Sequence, residues 1–419
     1  MNHDIQLNPK VTALKPSATL HINELSQQLI RDGKDIIRLG LGQSPFPVPD
    51  RVVQSLKDHA GEKDYLPVRG LLQLRGTIAD YYQRRTGLGF NSDSVLIGPG
   101  SKELLFNLQL ATNAELILPA PCWVSYAPQA EMLGRSVRYL PTIMEDNWRI
   151  EPEQLKQLPD SGSPRLLLLN YPSNPTGASY EPDHIQALVS VARDKNIIIV
   201  SDEIYGETRF SGEHHSFAKW YPEGTIISGG LSKWCGAGGW RLGAMVFPEE
   251  LRELQNAMAV IASETFTSVS APIQHAACCA FEEHDDIQSY VQNSRSILKN
   301  IAEYMVSQLR AMGLKMVDPV GGFYLFVSFA GHRDELKKRD ILTSEALCDA
   351  LLSEAGVAML PGSDFGLSAD ELFVRLAFVD FDGASALQNV QNQPVDSQRF
   401  VEDNCPRLVE AYQRLAHWL

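Results

Sequence analysis

Apolar positions along the chain fall into two alternating patterns. Short uninterrupted runs such as VLIG at 95–98, ELILPA at 115–120, LLLLN at 166–170, IIIVSD at 197–202 and TIISGG at 225–230 have the length of buried strands. Between them lie stretches with apolar residues three and four apart, the spacing of one helix face. VVQSLKDHA, the segment ending RGTIADYYQRRTG, the stretch from Ser101 and IQALVSVARDKN are of this kind. Continuous apolar strands alternating with helices predict an α/β fold, with a mostly parallel sheet covered by helices on both faces.

The two ends of the chain read differently. INELSQQLIRDG places Ile22, Leu25, Leu29 and Ile30 on one helical face and stops at Gly33. DIIRLGLG is a short apolar strand leading into Gln43-Ser44-Pro45-Phe46-Pro47-Val48-Pro49, whose prolines predict an extended loop. After long helical patterns that run to about Met312, GGFYLF, VAMLPGSDFG and LFVRLAFVDF predict three strands of a smaller α+β unit. The expected division is an arm and small-domain segment at 1–49, a large domain at 50–312 and a small domain at 313–419. The polar stretch near 391–398 is the clearest linker candidate. A length of 419 residues agrees with two domains, since one hydrophobic core rarely grows so large.

Composition narrows the function. The chain is 44% hydrophobic and 21% charged, and 37 basic against 51 acidic residues leave a net charge of -14. This argues against a general nucleic-acid binder or a ligand of anionic membranes. The six cysteines have no paired metal spacing. Cys235, two residues from Lys233, reads as a small buried thiol sooner than as a nucleophile. MNHDIQLNPK lacks the apolar core of a signal peptide, and no apolar run reaches the length of a membrane span, so a cytoplasmic protein is expected.

Candidate chemistry centres on IISGGLSKWCGAGGWRLG at 226–243, where a buried strand runs into a glycine-rich loop carrying Lys233 and Arg241. A buried amine condenses readily with a carbonyl, and a guanidinium fork suits a phosphate. A ligand with both an aldehyde and a phosphate matches that pair; a loop with solvated cations matches it equally well. Further polar residues gather where other strands end. Gly98-Pro99-Gly100 before Ser101 is a weak anion-binding signal. Asn174 precedes a proline, Asp202 ends a strand, and Trp123 by itself reads as core. Ligands of open α/β sheets bind at the C-terminal strand ends.

Together these residues resemble the fold-type I, class I pyridoxal-phosphate aminotransferases over essentially the whole chain. The resemblance rests on Lys-Pro-Ser-Ala-Thr at 15–19, Asn-Pro-Thr-Gly at 174–177, Asp-Glu-Ile-Tyr at 202–205, Ser232-Lys233 with Arg241 eight residues on, and Arg375. The first of these, with Pro-Cys-Trp-Val-Ser-Tyr at 121–126, is most similar to the bacterial aspartate aminotransferase branch. It implies pyridoxal 5'-phosphate as cofactor and ping-pong transfer of an amino group from an L-amino acid to a 2-oxo acid. A lyase or synthase on the same scaffold is the alternative.

The resemblance also implies residue roles. Lys233 would hold the cofactor and later act as base at Cα. Asp202 would pair with the pyridine nitrogen, Tyr205 and Asn174 with the phenolic oxygen, and Trp123 would stack on the ring. Ser101, Lys102 and Arg241 would bind the phosphate, joined by Tyr65 and Ser268 of a neighbouring subunit in a homodimer, and Ser232 would also contact the cofactor. Arg375 would clamp the substrate carboxylate, with Gly42, Asn174 and Thr19 beside it. Three departures stand out. Gly230 occupies a position where relatives often carry serine, Gln43-Ser44 replaces Glu-Pro after Gly42, and no arginine lies between Arg252 and Gln274.

Overall fold

The computed structural model describes residues 5–160, 162–390, 395 and 398–419; most of the 391–398 linker candidate therefore lies outside the described residues. Twelve strands are present among them. In chain order they are β1 (Ile37–Arg38), β2 (Val95–Gly98), β3 (Glu115–Ala120), β4 (Val137–Pro141), β5 (Arg165–Asn170), β6 (Ile197–Asp202), β7 (Thr225–Gly230), β8 (Gly243–Val246), β9 (Tyr324–Ser328), β10 (Val357–Ala358), β11 (Leu360–Pro361) and β12 (Phe373–Ala377).

Strands β2 to β8 form one seven-stranded sheet in the order β2-β8-β7-β6-β5-β3-β4. All its pairings are parallel except those of β8, which runs antiparallel to both neighbours. Apart from the half-exposed edge strand β4, both faces are buried, which explains why the strands read as continuous apolar runs. Leu168, Val200 and Ile226 pack on Leu104, Leu105 and Leu108 of the helix Ser101–Ala111. On the opposite face, Leu167, Leu169 and Ile199 pack on Ile185, Leu188 and Val189 of the helix Pro182–Asp194. The α/β expectation holds.

A second core surrounds the three-stranded antiparallel sheet β11-β12-β9. The short apolar run near residue 37 belongs here, since β1 pairs in parallel with β10. Ile37 and Leu39 are fully buried in this core. Each such side chain contributes roughly 1.5–3 kcal/mol, enough to fix the segment that follows. The Leu39 carbonyl accepts from the Ala377 amide at 2.8 Å, so Gly40 and Gly42 emerge beside β12. The 27-residue helix Asp285–Ala311 serves both cores, with Ile287 in one and Ile297 to Leu309 in the other. No described helix is long and apolar enough to cross a membrane.

Candidate functional site

Asp202 is the last residue of β6, at the edge of the large sheet where Asn170 and Gly230 also end their strands. It is buried and accepts a 2.6 Å hydrogen bond from the Tyr126 hydroxyl and a longer one from the Ile204 amide. Burial pushes its carboxyl up to about 6, against the opposing pull of the Tyr126 donor. A carboxylate so placed gains from a cationic partner.

Lys233 leaves the loop after β7, and its amine donates to the Gly42 carbonyl at 2.7 Å. The Tyr205 and Phe323 rings lie 5.4 and 5.7 Å from it. Burial first, then the Arg375 charge, bring the amine down to about 8. At neutral pH about a tenth of such amines are unprotonated, a share an exposed lysine lacks by more than two orders of magnitude.

Arg375, on β12, is fully buried. It donates to the Gly40 carbonyl and, at 3.4 Å, to Asn174 Oδ1, while its Nε has no partner. Its acceptors are neutral, and no carboxylate among the described residues forms an ion pair with it. The Tyr324 and Phe365 rings face the guanidinium at 4.8 and 5.4 Å. The Asp364 carboxylate acts on it without an ion-pair contact, and a buried cation with no carboxylate in contact is costly unless a ligand supplies one. The Gly40 and Gly42 carbonyls, two residues apart, thus hold the guanidinium and the amine from one loop.

A third cationic region lies at the start of the helix Ser101–Ala111. Its N-cap is Gly100, at φ +93°, with no side chain to satisfy the first-turn amides. A Cβ there would collide with the Arg241 guanidinium, which donates to Pro99 and Gly238 carbonyls at 3.2 and 2.8 Å. Burial, then the Arg241 charge, lower the pKa of Lys102, whose amine is 5.5 Å from the Trp123 ring. Trp123 meets Tyr126 edge to face, linking this region to Asp202. Free amides, a lysine and an arginine converge as an anion site requires.

The structure thus connects Asp202, Lys233, Gly42, Arg375, Asn174, Tyr205, Trp123, Lys102, Ser101 and Arg241. Ser232 precedes Lys233 and is half-buried. Thr19, also half-buried, pairs its hydroxyl with that of Ser17 at 3.1 Å. Tyr65 is 90% exposed and takes no part in the contacts around Lys233; Ser268, half-buried, takes none either. Cys235 is fully buried with its thiol pKa pushed up by burial, which removes it as a nucleophile.

Two participants escape sequence reading. Tyr126 lies within the 121–126 motif but shows its role only through the bond to Asp202. The Tyr324 hydroxyl lies 2.6 Å from that of Tyr205. At Gly230, a Cβ would come within 2.6 Å of the Leu242 carbonyl, so the glycine is imposed by close approach of β8. Among the described residues no His, Cys, Asp and Glu cluster could hold a metal ion.

Residues 34–382 match the family described as aminotransferase class I and II. An aspartate/prephenate aminotransferase from Thermus thermophilus is 32% identical over 366 residues, covering 86% of this chain and 91% of that protein. An aspartate aminotransferase from a Bacillus species is 32% identical over 403 residues, covering 94% and 98%. Among solved structures, the Thermus thermophilus aspartate aminotransferase with maleate superposes with a TM-score of 0.85 at 29% identity, covering 99% of this chain and 100% of that one.

Proposed function

Because the chain belongs to the class I and II aminotransferase family, and is a pyridoxal-phosphate-dependent aminotransferase, we propose how its own residues divide the work. The observation that carries the reading is the unpaired, fully buried Arg375 sharing one loop with the lowered amine of Lys233. It suits a substrate that brings a carboxylate to the guanidinium and a reacting carbon to the amine.

The residues present fit the cofactor. Bound pyridoxal phosphate supplies an aldehyde for amine exchange and a protonated ring that accepts the electron pair released at Cα. Lys233 would hold it through the amine and, once displaced by the donor, take the proton from Cα; a pKa near 8 suits both tasks. Asp202 would keep a proton at the ring nitrogen, the cationic partner that its buried carboxylate needs. Tyr205 and Asn174 would serve the ring oxygen and Trp123 the ring face. Ser101, Lys102 and Arg241 would hold the phosphate, and Ser232 would also contact the cofactor.

Arg375 would take the substrate α-carboxylate on its fork, with Asn174, Gly42 and Thr19 bordering the substrate. A homodimer completes the proposal. The exposure of Tyr65 supports a reach into the partner's phosphate site, and Ser268 would join it. The division into 1–49, 50–312 and 313–419 and a cytoplasmic location belong to the same reading.

The relatives are named for aspartate, and an acidic donor is proposed on that likeness. With no arginine between Arg252 and Gln274, a side-chain carboxylate would have to be read from elsewhere. Acidic, aromatic and sulfur-containing donors assayed with 2-oxoglutarate and pyruvate decide this. Purified Lys233→Ala protein should lose covalent cofactor attachment and transamination. Full transamination by that variant sinks the assignment of roles.

A further inference from the structure

Tyr324 has no role in the reading above, yet it touches three groups that do. Its hydroxyl lies 2.6 Å from that of Tyr205. Its ring faces the Arg375 guanidinium at 4.8 Å. Its hydroxyl also fills the place that a side chain at Gly42 would occupy, so that even a methyl group there would overlap it. Tyr324 stands on β9, whose register sets Leu325 opposite Leu376 and Phe326 opposite Arg375. The position is thus fixed by a buried ladder.

We propose that Tyr324 is a positioning residue for this aminotransferase: its hydroxyl holds the Tyr205 phenol and the Gly42 loop in the arrangement the reaction uses. The proposal rests on the role assigned above to Tyr205. Either hydroxyl can donate to the other, and the role of Tyr205 selects between the two directions. The Tyr324 hydroxyl has Tyr205 as its hydrogen-bond partner, and the far side is closed by Gly42. Each hydroxyl has the other as its hydrogen-bond partner, so once Tyr205 gives its single proton to a ligand oxygen, it must accept from Tyr324.

With Tyr324 as donor, the Tyr205 proton is free to be offered to a ligand oxygen in the site. Hydrogen bonds in such a chain strengthen one another, so Tyr324 makes Tyr205 the better donor. The cation against the Tyr324 ring favours donation by its phenol, because a neighbouring positive charge stabilises phenolate character. The same hydroxyl, wedged against Gly42, sets where the Gly42 carbonyl meets the Lys233 amine.

The test uses the loaded enzyme and reads the pH at which the bound cofactor's visible absorbance changes, alongside kcat and KM. Tyr205→Phe should move that midpoint upward by about one unit or more, since a donor to the ring oxygen is lost. Tyr324→Phe should move it the same way by about half a unit, with kcat reduced more than KM. In the double variant the second substitution should add nothing. Gly42→Ala, which displaces the hydroxyl and leaves both tyrosines intact, should reproduce the upward shift and carries the test if Tyr324→Phe does not fold. A midpoint moved by Tyr205→Phe but untouched by Tyr324→Phe and Gly42→Ala overturns the positioning role alone. A Tyr324→Phe shift that persists undiminished without the Tyr205 hydroxyl overturns it too. A midpoint indifferent to Tyr205→Phe instead brings down the underlying role of Tyr205.

Discussion

The Lys233 amine and the Gly42 carbonyl meet at 2.7 Å although 191 residues separate them in the chain. The carbonyl comes from a segment anchored in the second core, and the amine from a loop of the large sheet. The reactive group therefore sits where the two cores meet, with contacts to both.

Asp202 links the site to stability. Its folded pKa, about 6, lies above the unfolded value near 3.8, so the folded chain binds the extra proton between these two. Stability without cofactor then falls as pH rises through this window, by about 3 kcal/mol at most, and the loss is complete above pH 6. Asp202→Asn keeps an acceptor for Tyr126 and removes the buried charge. Thermal melts without cofactor should show the variant gaining on the wild type at pH 7–8 and not at pH 4. Its kcat should fall by roughly a hundredfold or more.

Arg375→Met separates binding from folding. The guanidinium has neutral acceptors and an unpartnered Nε, so its replacement by an apolar side chain relieves a desolvation cost. The melting temperature should stay level or rise. KM for amino donors should increase about a hundredfold, from the loss of a charge-assisted fork worth roughly 3 kcal/mol. A marked fall in melting temperature would mean that the arginine serves structure first.

Tyr126→Phe leaves the packing against Trp123 and removes the 2.6 Å donor to Asp202. The Asp202 carboxyl should then titrate higher still, because the hydroxyl is what opposes its burial. Cofactor affinity, followed by fluorescence titration, should weaken about tenfold or more at pH 7 and recover in part at higher pH.

Gly230→Ser adds a hydroxyl beside the lysine loop, but its Cβ would press on the Leu242 carbonyl at 2.6 Å and the Gly243 Cα at 3.0 Å. The variant should lose about 1–3 kcal/mol of stability. No gain in cofactor affinity should accompany it. Tighter binding at unchanged stability would show that β8 can yield.

The inner strands of the large sheet were legible because they are buried on both faces and so are written as apolar runs, unlike the half-exposed edge strand β4. The reversed direction of β8 was not, since GAMV reads alike either way. Lys233, Asp202 and Arg375 could be picked out by type and spacing. The Tyr126 and Tyr324 hydroxyls could not, because their partners lie 76 and 119 residues away and only the folded backbone brings them together. VAMLPGSDFG, read as one strand, is divided between β10, β11 and a helical turn at Gly362–Phe365, and the two strands belong to different sheets. Tyr65 and Ser268 meet none of the other candidates within a single chain.

The anchoring of residues 37–42 also sets an order of events during synthesis. Gly40 accepts from an arginine 335 residues further on, and β1 waits for β10. At about 5–20 residues per second, the loop is made roughly 20–70 s before its partners. The large sheet can close over Lys233 and Asp202 on the ribosome. The carbonyls that hold the amine and the guanidinium arrive in place only when the chain is nearly finished, so a nascent or prematurely ended polypeptide would carry the lysine without the clamp.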